Sequence, residues 1–446
     1  MKKFFGTDGI RGKTGEYPVT PDFFVKLGYA AGLVLTKNIK GNKKPSVVIG
    51  KDTRISGYML ESSLEAGLSS AGVDVYLTGP IPTPAIAFLT QSLNADIGIM
   101  ITASHNPYED NGIKLFSSSG TKLSDEVENE IEEMIEGEIK CVEPSKLGKA
   151  RRLDNARAQY IEFCLTTIPN EMNLKNYKIV LDCAHGATYQ VAPEIFKFLG
   201  ADIVLMNHEP DGLNINFNAG STYPKSLIEN VKTHKADLGI AFDGDGDRLI
   251  MVSERGELVD GDQILYLIMD YYHNQNNLNG GIVGTLMTNL ALEEKCKSLD
   301  IPFARTNVGD RYVSEMLRKN AWEVGGENSG HIVLLNCHST GDGIISSLQV
   351  ISALLAKRKK ISEALKEMPL YPQVLINIPL INKIDINSTY IQEIKLIAEE
   401  MMNGLGRVLI RASGTQPLLR IMTEGPNKEL TEKAANFLVE KIKPIS

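Results

Sequence analysis

Three aspartates alternate with glycines in the short run Asp243-Gly244-Asp245-Gly246-Asp247. Alternate side chains of an extended chain point to the same side, and glycine allows the backbone to bend, so the three carboxylates can converge on one ion. Hard cations prefer oxygen ligands, and Mg²⁺ usually combines a few carboxylates with a phosphate oxygen. The run therefore predicts a Mg²⁺ site formed by Asp243, Asp245 and Asp247.

A calcium-binding EF-hand is the main alternative for this run. Asp243, Asp245, Asp247 and Glu254 have the spacing of the acidic ligands in that motif, but Arg248 stands where the motif requires glycine. Strand-like residues also flank the loop on both sides. A solvated acidic turn is a further alternative, although such dense alternation in an apolar setting is unusual for a turn.

Ser104 lies in a second polar loop, Thr102-Ala103-Ser104-His105-Asn106-Pro107. The loop lacks the Gly-x-Ser-x-Gly pattern of a serine hydrolase, which leaves a plain polar turn or a phosphorylated serine. A phosphoserine carries about −1.5 to −2 charges and needs cations close by. Mg²⁺ that bridges the aspartates and a phosphate on Ser104 would satisfy this need, so Ser104 is predicted to belong to the metal site as well.

Two further loops have the composition of binding sites. Gly326 to His331 is rich in short-range donors and acceptors of the kind that recognise sugar hydroxyls, although a glycine-flanked turn looks similar. The run from Arg411 to Thr415, with Arg420 beyond it, combines hydroxyls, a glycine and two arginines, as expected of a phosphate cradle or of a polar hairpin. The candidate substrate-binding residues are Glu327, Asn328, Ser329, His331, Arg411, Ser413, Gly414, Thr415 and Arg420.

The elements that carry these loops form a repeat. A strand, a helix and a second strand are predicted in 44–79, 177–207 and 281–306, and the first two helices are followed by Gly72 and Gly200, which suit left-handed caps. A third strand then leads into the serine, aspartate and Glu327 loops respectively. Loops beyond the carboxyl ends of parallel strands commonly bind ligands, so the three loops are expected to face one cleft.

The C-terminal part has a different pattern. Two strands, 408–411 and 418–422, are followed by a helix over about 428–441, which predicts a small α+β domain. The predicted fold class is therefore α/β, with three similar α/β domains that contain mixed sheets and a smaller C-terminal α+β domain. The predicted domains are 1–153, 154–258, 259–368 and 369–446.

Composition excludes several classes of protein. The 446 residues are 43% hydrophobic and 23% charged, which indicates a globular protein with a large core. A formal net charge of −8 argues against a nucleic-acid surface. The apolar runs are too short to span a bilayer, no apolar signal region follows the N-terminus, and five scattered cysteines suggest neither zinc nor disulfides. We expect a cytoplasmic protein.

Three motifs accompany the loops and point to a family. They are Phe5-Gly6-Thr7-Asp8-Gly9-Ile10-Arg11-Gly12, Val308-Gly309-Asp310-Arg311-Tyr312-Val313 and Ile410-Arg411-Ala412-Ser413-Gly414-Thr415. In this order and spacing, loops and motifs resemble the α-D-phosphohexomutase superfamily across nearly the whole chain. Within it they are most similar to the bacterial phosphoglucosamine mutases.

The resemblance implies a heart-shaped arrangement of four domains and an isomerase activity. That activity interconverts glucosamine 6-phosphate and glucosamine 1-phosphate through a phosphoserine enzyme and a bisphosphate intermediate, on the route to UDP-N-acetylglucosamine and the cell wall. It implies Mg²⁺ as cofactor, glucosamine or glucose 1,6-bisphosphate as activator, and a possible homodimer.

The resemblance also implies roles for single residues. Ser104 matches the phosphoserine, Lys114 the general acid/base, and Arg11, His105 and Arg248 match groups beside the phosphoserine. Glu327 and Ser329 match sugar ligands, and the loop from Arg411 to Arg420 matches the grip on the distal phosphate. Two positions differ from the usual pattern: Gln416 replaces a common Glu, and Asn328 replaces a frequent Gln.

Other functions stay open on the sequence alone. A phosphomannomutase or phosphoglucomutase would use the same loops with another sugar. A phosphatase would use water as the acceptor in place of the sugar. A non-catalytic calcium- or sugar-binding protein would need neither Ser104 nor Lys114.

Overall fold

The structure is a computed structural model and describes residues 3–6, 8–37, 43–380, 384–412 and 418–443. Within those residues the chain forms four separate β-sheets in sequence order, each accompanied by helices. None of the described helices is both long and apolar enough to cross a membrane.

The first domain contains a mixed sheet with the strand order β1-β5-β4-β2-β3-β6. Its strands are β1 (Ile10–Lys13), β2 (Ser46–Lys51), β3 (Asp74–Pro80), β4 (Ile97–Ile101), β5 (Asp110–Ser117) and β6 (Ala150–Arg152). Its helices are α1 (Pro21–Thr36), α2 (Ser56–Ser70), α3 (Thr83–Ser92) and α4 (Asp125–Ile135). Every residue of β4 is buried, as expected of a central strand with helices on both faces.

The second domain contains a sheet with the order β11-β10-β9-β7-β8. Its strands are β7 (Lys178–Asp182), β8 (Asp202–Met206), β9 (Leu238–Phe242), β10 (Leu249–Ser253) and β11 (Leu258–Val259), and its helices are α5 (Ala156–Thr166), α6 (Val191–Phe198) and α7 (Lys225–His234).

The third domain contains a sheet with the order β13-β12-β14-β15. Its strands are β12 (Ile282–Thr285), β13 (Phe303–Thr306), β14 (Val324–Gly326) and β15 (Ile332–Leu334), and its helices are α8 (Gly261–Asn274), α9 (Leu290–Ser298), α10 (Asp310–Asn320), α11 (Gly343–Lys357) and α12 (Ile361–Ala364).

The first three sheets share one topology. Each has a parallel β-α-β unit, then a third parallel strand, then an antiparallel strand that pairs with the third one. The repeat predicted from the sequence is confirmed. The expected left-handed caps are present at Gly72 (φ +86°) and Gly200 (φ +91°), and Asp300 (φ +56°) takes this conformation in the third unit.

The fourth domain is smaller and antiparallel. Its strands β16 (Gln373–Pro379), β17 (Arg407–Ala412) and β18 (Leu418–Glu424) pair in the order β16-β18-β17, with helices α13 (Thr389–Met401) and α14 (Lys428–Ile442). The two predicted strands and the final helix are confirmed. Sequence analysis missed β16 and α13, which complete the α+β fold. The predicted boundaries between domains stay predictions.

Apolar packing separates the first three domains from the fourth. One continuous cluster, here called the shared core, contains Met100 from the first sheet, Ile240 from the second and Ile282 from the third. A different cluster, the C-terminal core, contains Ile394 and Ile421 and lies within the fourth domain. The first three domains are therefore joined by buried hydrophobic surface, which is the dominant favourable term in folding.

The junction with the fourth domain includes a set of polar contacts. Arg407, at the start of β17, donates from Nη1 to Leu286 O at 2.8 Å and from Nη2 to Thr288 O at 2.7 Å. Its Nε bonds to the buried carboxylate of Glu424. Hydrogen bonds thus connect the fourth domain to the loop after β12.

Candidate active site

The three predicted loops occupy equivalent positions. Each connects the third and fourth strands of its repeat: β4 to β5, β9 to β10, and β14 to β15. Residues from all three loops, including His105, Asp247 and Glu327, line one cavity of about 570 Å³. The expectation of a single cleft formed by three sheets is confirmed.

Ser104 is buried where the first loop meets the second. Its Oγ donates to Asp243 Oδ2 at 2.8 Å and lies 3.4 Å from Nδ1 of His105. Its backbone N–H donates to Thr102 Oγ1 at 2.8 Å. The residue has φ +52°, a left-handed conformation that residues other than glycine rarely adopt. The hydroxyl is therefore directed at the acidic loop by a specific backbone geometry.

The three aspartates converge as predicted. Each offers an oxygen within 4.8 Å of the other two, and all three side chains are buried. Burial, followed by repulsion from Asp247 and Asp245, raises the pKa of Asp243 well above its usual value. Oδ1 of Asp245 and Oδ1 of Asp247 have no hydrogen-bond partner among the described residues. Converging carboxylate oxygens of this kind fit the oxygen ligands that a divalent cation such as Mg²⁺ prefers.

The EF-hand alternative is wrong. The aspartate loop joins two antiparallel strands, β9 and β10, whereas an EF-hand loop joins two helices. Glu254, the residue at the last ligand position of that motif, instead accepts a hydrogen bond from the hydroxyl of Ser362.

Lys114 on β5 reaches the same carboxylates from the first domain. Its Nζ lies 2.8 Å from Asp245 Oδ2, 2.7 Å from Asp247 Oδ2 and 3.3 Å from Asp8 Oδ2. Burial would lower the pKa of this lysine, but the three carboxylates outweigh burial and raise it well above its usual value. The ammonium group therefore compensates part of the buried negative charge.

Cationic and polar groups line the cavity next to the serine loop. Arg11 and Arg248 both line the cavity, and the buried Nε of each has no hydrogen-bond partner within the described chain. Burial, then the charges of Arg248 and Arg11, lowers the pKa of His105 to about 4. His105 is thus neutral at physiological pH, and the two arginines supply the positive charge that an anion in the cavity would need.

The third loop contributes its predicted residues to the cavity. Glu327, Asn328 and Ser329 all line it, and Oε1 of Glu327 accepts the backbone N–H of Gly309 at 2.9 Å. His331 lies deeper, with Nδ1 3.6 Å from Asp247 Oδ1. Burial would lower the pKa of His331, but Asp247 and then Asp310 outweigh it and raise the pKa to about 9. His331 therefore contacts the aspartate loop as well as the cavity.

The fourth loop falls largely outside the described residues. Ser413, Gly414, Thr415 and Gln416 lie outside the described residues. Arg411 and Arg420 are paired across β17 and β18. Burial and the neighbouring charge of Arg420 lower the pKa of Arg411. Among the described residues, these two arginines are not part of the cavity lining.

Sequence analysis missed an acidic and basic network at one side of the cavity. Lys122 bonds to both Asp8 and Asp310, which both line the cavity. Burial would raise the pKa of Asp8, but Lys114, Lys122 and Arg11 outweigh it and hold the pKa well below its usual value. Asp8 and Asp310 lie in two of the motifs that carried the resemblance. The sequence therefore marked both residues, but no role was predicted for either.

Comparison with sequence families covers almost the whole chain. Four families described as phosphoglucomutase/phosphomannomutase match in order: alpha/beta/alpha domain I at residues 2–140, domain II at 158–256, domain III at 260–371 and the C-terminal domain at 375–441. Among individual relatives, the phosphoglucosamine mutase of Methylobacillus flagellatus is 54% identical over 438 residues, 97% of each chain.

Solved structures agree on the fold. A phosphoglucomutase/phosphomannomutase family protein from Burkholderia thailandensis superposes with a TM-score of 0.80 at 22% identity, over 98% of this chain and 97% of that one. The N-acetylphosphoglucosamine mutase of Aspergillus fumigatus, solved with GlcNAc-6P and magnesium, superposes with a TM-score of 0.68 at 18% identity, over 99% and 96%. On these matches, the chain belongs to the phosphoglucomutase/phosphomannomutase family and, within it, to the phosphoglucosamine mutases.

Proposed function

We propose that this protein is a phosphoglucosamine mutase, which interconverts glucosamine 6-phosphate and glucosamine 1-phosphate through a phosphorylated Ser104. The observation that carries the proposal is the hydrogen bond from Ser104 Oγ to Asp243, inside a cluster of three carboxylates beside a cavity lined by two arginines. A nucleophilic oxygen, a cation site and anion-binding groups in one place are the components of phosphoryl transfer.

The proposed reaction has two symmetrical steps. A free hydroxyl oxygen of the bound sugar phosphate forms a bond to the phosphorus on Ser104 and loses its proton, the bond to Ser104 Oγ breaks and that oxygen takes up a proton, and a hexosamine bisphosphate results. The bisphosphate then presents its other phosphate, Ser104 Oγ forms the new bond to phosphorus, and the sugar oxygen leaves with a proton. We assign this proton transfer to Lys114, following the family resemblance: its ammonium, kept charged by the neighbouring carboxylates, donates a proton to the departing oxygen and regains one from the attacking hydroxyl.

The remaining residues position and neutralise the reactants. Arg11 and Arg248 would bind the oxygens of the transferring group, and His105 would offer a neutral ring nitrogen beside Ser104. Glu327, Asn328 and Ser329 would bind sugar hydroxyls. Asp243, Asp245, Asp247 and a phosphate oxygen on Ser104 would hold Mg²⁺, which supplies charge neutralisation when bound. The Arg411 to Arg420 loop would bind the distal phosphate.

A substrate panel tests this proposal. Purified protein is assayed with Mg²⁺ and a catalytic amount of glucose 1,6-bisphosphate against the 6-phosphates of glucosamine, glucose and mannose, with parallel samples in excess chelator. We expect a strong preference for glucosamine phosphate and loss of turnover on chelation. Preference for glucose or mannose phosphate would keep the mechanism and refute the sugar, whereas net phosphate release at the full turnover rate would indicate a phosphatase.

The location, the activator and the assembly of the enzyme are further parts of the proposal. We infer a cytoplasmic enzyme that acts on a small hexosamine phosphate and uses glucosamine or glucose 1,6-bisphosphate as activator. A homodimer is the proposed assembly. Light scattering on the eluting protein tests it, because a mass equal to one chain would refute the dimer.

A further inference from the structure

The backbone of Ser104 has an energetically unfavourable conformation. Its φ of +52° is uncommon for a residue with a side chain, and such conformations persist only where the surroundings over-determine them. Ser104 and Asn106 both point their backbone carbonyls at side-chain donors from outside the loop. Those donors come from two residues for which sequence analysis predicted no role.

Arg54 is the first of them. It is the largest fully buried side chain of the described residues, and its Nη2 donates to Ser104 O at 3.2 Å and to Asn106 O at 2.5 Å. Asp52 orients the guanidinium, since its carboxylate accepts from Nη1 and from the backbone N–H of Arg54. The same carboxylate accepts from Thr102 Oγ1 at 2.6 Å, and Thr102 Oγ1 in turn accepts the N–H of Ser104.

Asn216 is the second donor residue, and it belongs to the second domain. Its Nδ2 donates to Ser104 O at 2.9 Å and to Asn106 O at 3.0 Å, the same two carbonyls that Arg54 contacts. The space behind them is filled: a Cβ on Gly244 would lie 2.6 Å from Ser104 O and 2.7 Å from Asn216 Nδ2. The aspartate loop and both donors therefore pack against one short segment of backbone.

We propose that Arg54 and Asn216 are positioning residues for phosphoryl transfer. By fixing the carbonyls of Ser104 and Asn106 from two domains, they keep Ser104 Oγ directed at Asp243. Neither residue lines the substrate cavity, so each acts through the serine loop and not on the ligand. This inference rests on the proposed function, because it concerns the rate at which Ser104 gains and loses its phosphoryl group.

Single-turnover kinetics on the full chain test the inference. Dephosphorylated protein with Mg²⁺ is mixed with glucose 1,6-bisphosphate, and phosphoserine formation is followed by intact mass. The dependence on bisphosphate concentration separates the maximal rate from the half-saturating concentration. Displacement of a reacting group by about 1 Å can cost roughly a hundredfold in rate, so the Arg54→Lys variant should lose about that factor with half-saturation changed by less than about twofold.

Asn216→Gly supplies a second variant with a matched control. Glycine accepts the φ of +59° at this position, so the substitution removes only the side-chain donors. Asn218 also has a positive φ, of +50°, and is exposed, so Asn218→Gly makes the same backbone change nearby. We expect Asn216→Gly to slow phosphoserine formation by about tenfold or more and Asn218→Gly to leave it unchanged.

The outcomes distinguish failure of the positioning role from failure of the proposed function. A folded Arg54→Lys or Asn216→Gly protein with the wild-type maximal rate would overturn the inference, and so would a loss confined to half-saturation. If Arg54→Lys fails to fold, the pair Asn216→Gly and Asn218→Gly decides. A wild-type protein that forms no phosphoserine from the bisphosphate would instead overturn the proposed function.

Discussion

The first three domains and the fourth are attached to the molecule by different kinds of contact. The shared core runs through all three α/β domains, whereas the C-terminal core is confined to the fourth. Polar contacts also tie the first domain to the third: Arg311 donates to Leu123 O at 2.8 Å and to Glu128 Oε1 at 2.7 Å. The fourth domain is held at Arg407 by hydrogen bonds to loop carbonyls.

This difference matches the demands of the proposed reaction. Ser104, the aspartates and Glu327 must keep fixed mutual positions for phosphoryl transfer, and a continuous close-packed core provides that rigidity. In the proposed reaction the bisphosphate turns over between the two steps, so the proposed phosphate loop of the fourth domain, Arg411 to Arg420, would have to release it and bind it again. Because the fourth domain has an apolar core of its own, it can change its orientation without opening either core.

The largest effect is expected from a substitution that removes the proposed phosphate acceptor of the first three domains without disturbing their packing. Ser104→Ala should lower turnover by about 10⁴-fold or more, because no other hydroxyl is proposed to accept the phosphoryl group. Exposed Ser118 gives the control variant Ser118→Ala, expected to be fully active. The measurement is the steady-state mutase rate with a circular-dichroism spectrum for each variant, and substantial activity in Ser104→Ala would refute the phosphoserine scheme.

Two core substitutions test whether the two parts unfold separately. Ile240 belongs to the shared core and Ile421 to the C-terminal core, and both are fully buried. Truncating either to Ala should cost about 2–5 kcal/mol of the free energy of unfolding. By calorimetry, Ile421→Ala should lower only a minor transition of the fourth domain, and Ile240→Ala only the main one.

An exposed isoleucine supplies the reference for that comparison. Ile397 of the fourth domain is 45% exposed, and Ile397→Ala should change stability by less than about 0.5 kcal/mol. A single transition that moves equally in Ile240→Ala and Ile421→Ala would show that the two parts fold as one unit.

Lowering the pH should reduce the stability of the protein through His338, which lies where the first three domains meet. Nε2 of this buried histidine donates to Pro84 O at 2.8 Å, Nδ1 accepts the N–H of Ser339 at 2.8 Å, and the ring packs edge-on against Phe163. Burial lowers the pKa of His338 to about 4. The unfolded residue binds its proton near pH 6.5, so stability falls as the pH is lowered from about 6.5 towards 4.

The expected loss from His338 is about 3 kcal/mol across that window. In His338→Gln this part of the pH dependence should be absent. The measurement is urea unfolding of both proteins at several pH values. Burial raises the pKa of neighbouring Asp342 to about 6, which acts in the opposite direction, and the comparison at equal pH cancels it. Parallel curves for the two proteins would contradict the assignment.

The smallest effect concerns the polar junction. Arg407→Lys keeps the charge but removes the guanidinium group that donates to two carbonyls. This should make the docking free energy of the fourth domain less favourable by about 1 kcal/mol. We expect the KM for hexosamine phosphate to rise about fivefold, with the rate of phosphoserine formation from saturating bisphosphate unchanged. Arg255→Lys on the exposed surface is the control. An unchanged KM would show that Arg407 does not set the domain orientation.

The architecture could be predicted from the sequence because each repeat is encoded in one short stretch of the chain. Each β-α-β unit is specified by apolar periodicity and a capping residue within a few dozen positions, so the three sheets and their loops could be placed in order. The elements that the sequence did not reveal, β16 and α13, precede the Arg411 to Thr415 motif and carry no motif of their own.

The sequence by itself determined which groups are present: the alternating aspartates, Ser104, Lys114 and the Glu327 loop. Only the tertiary structure decided their surroundings. Arg54, Asn216 and Lys122 act on partners that are 50, 112 and 188 positions away along the chain, and no local pattern predicts such pairs. Hydrogen bonds and desolvation depend on distances in space, so the left-handed serine, the shifted pKa values and the polar junction appear only once the domains are packed.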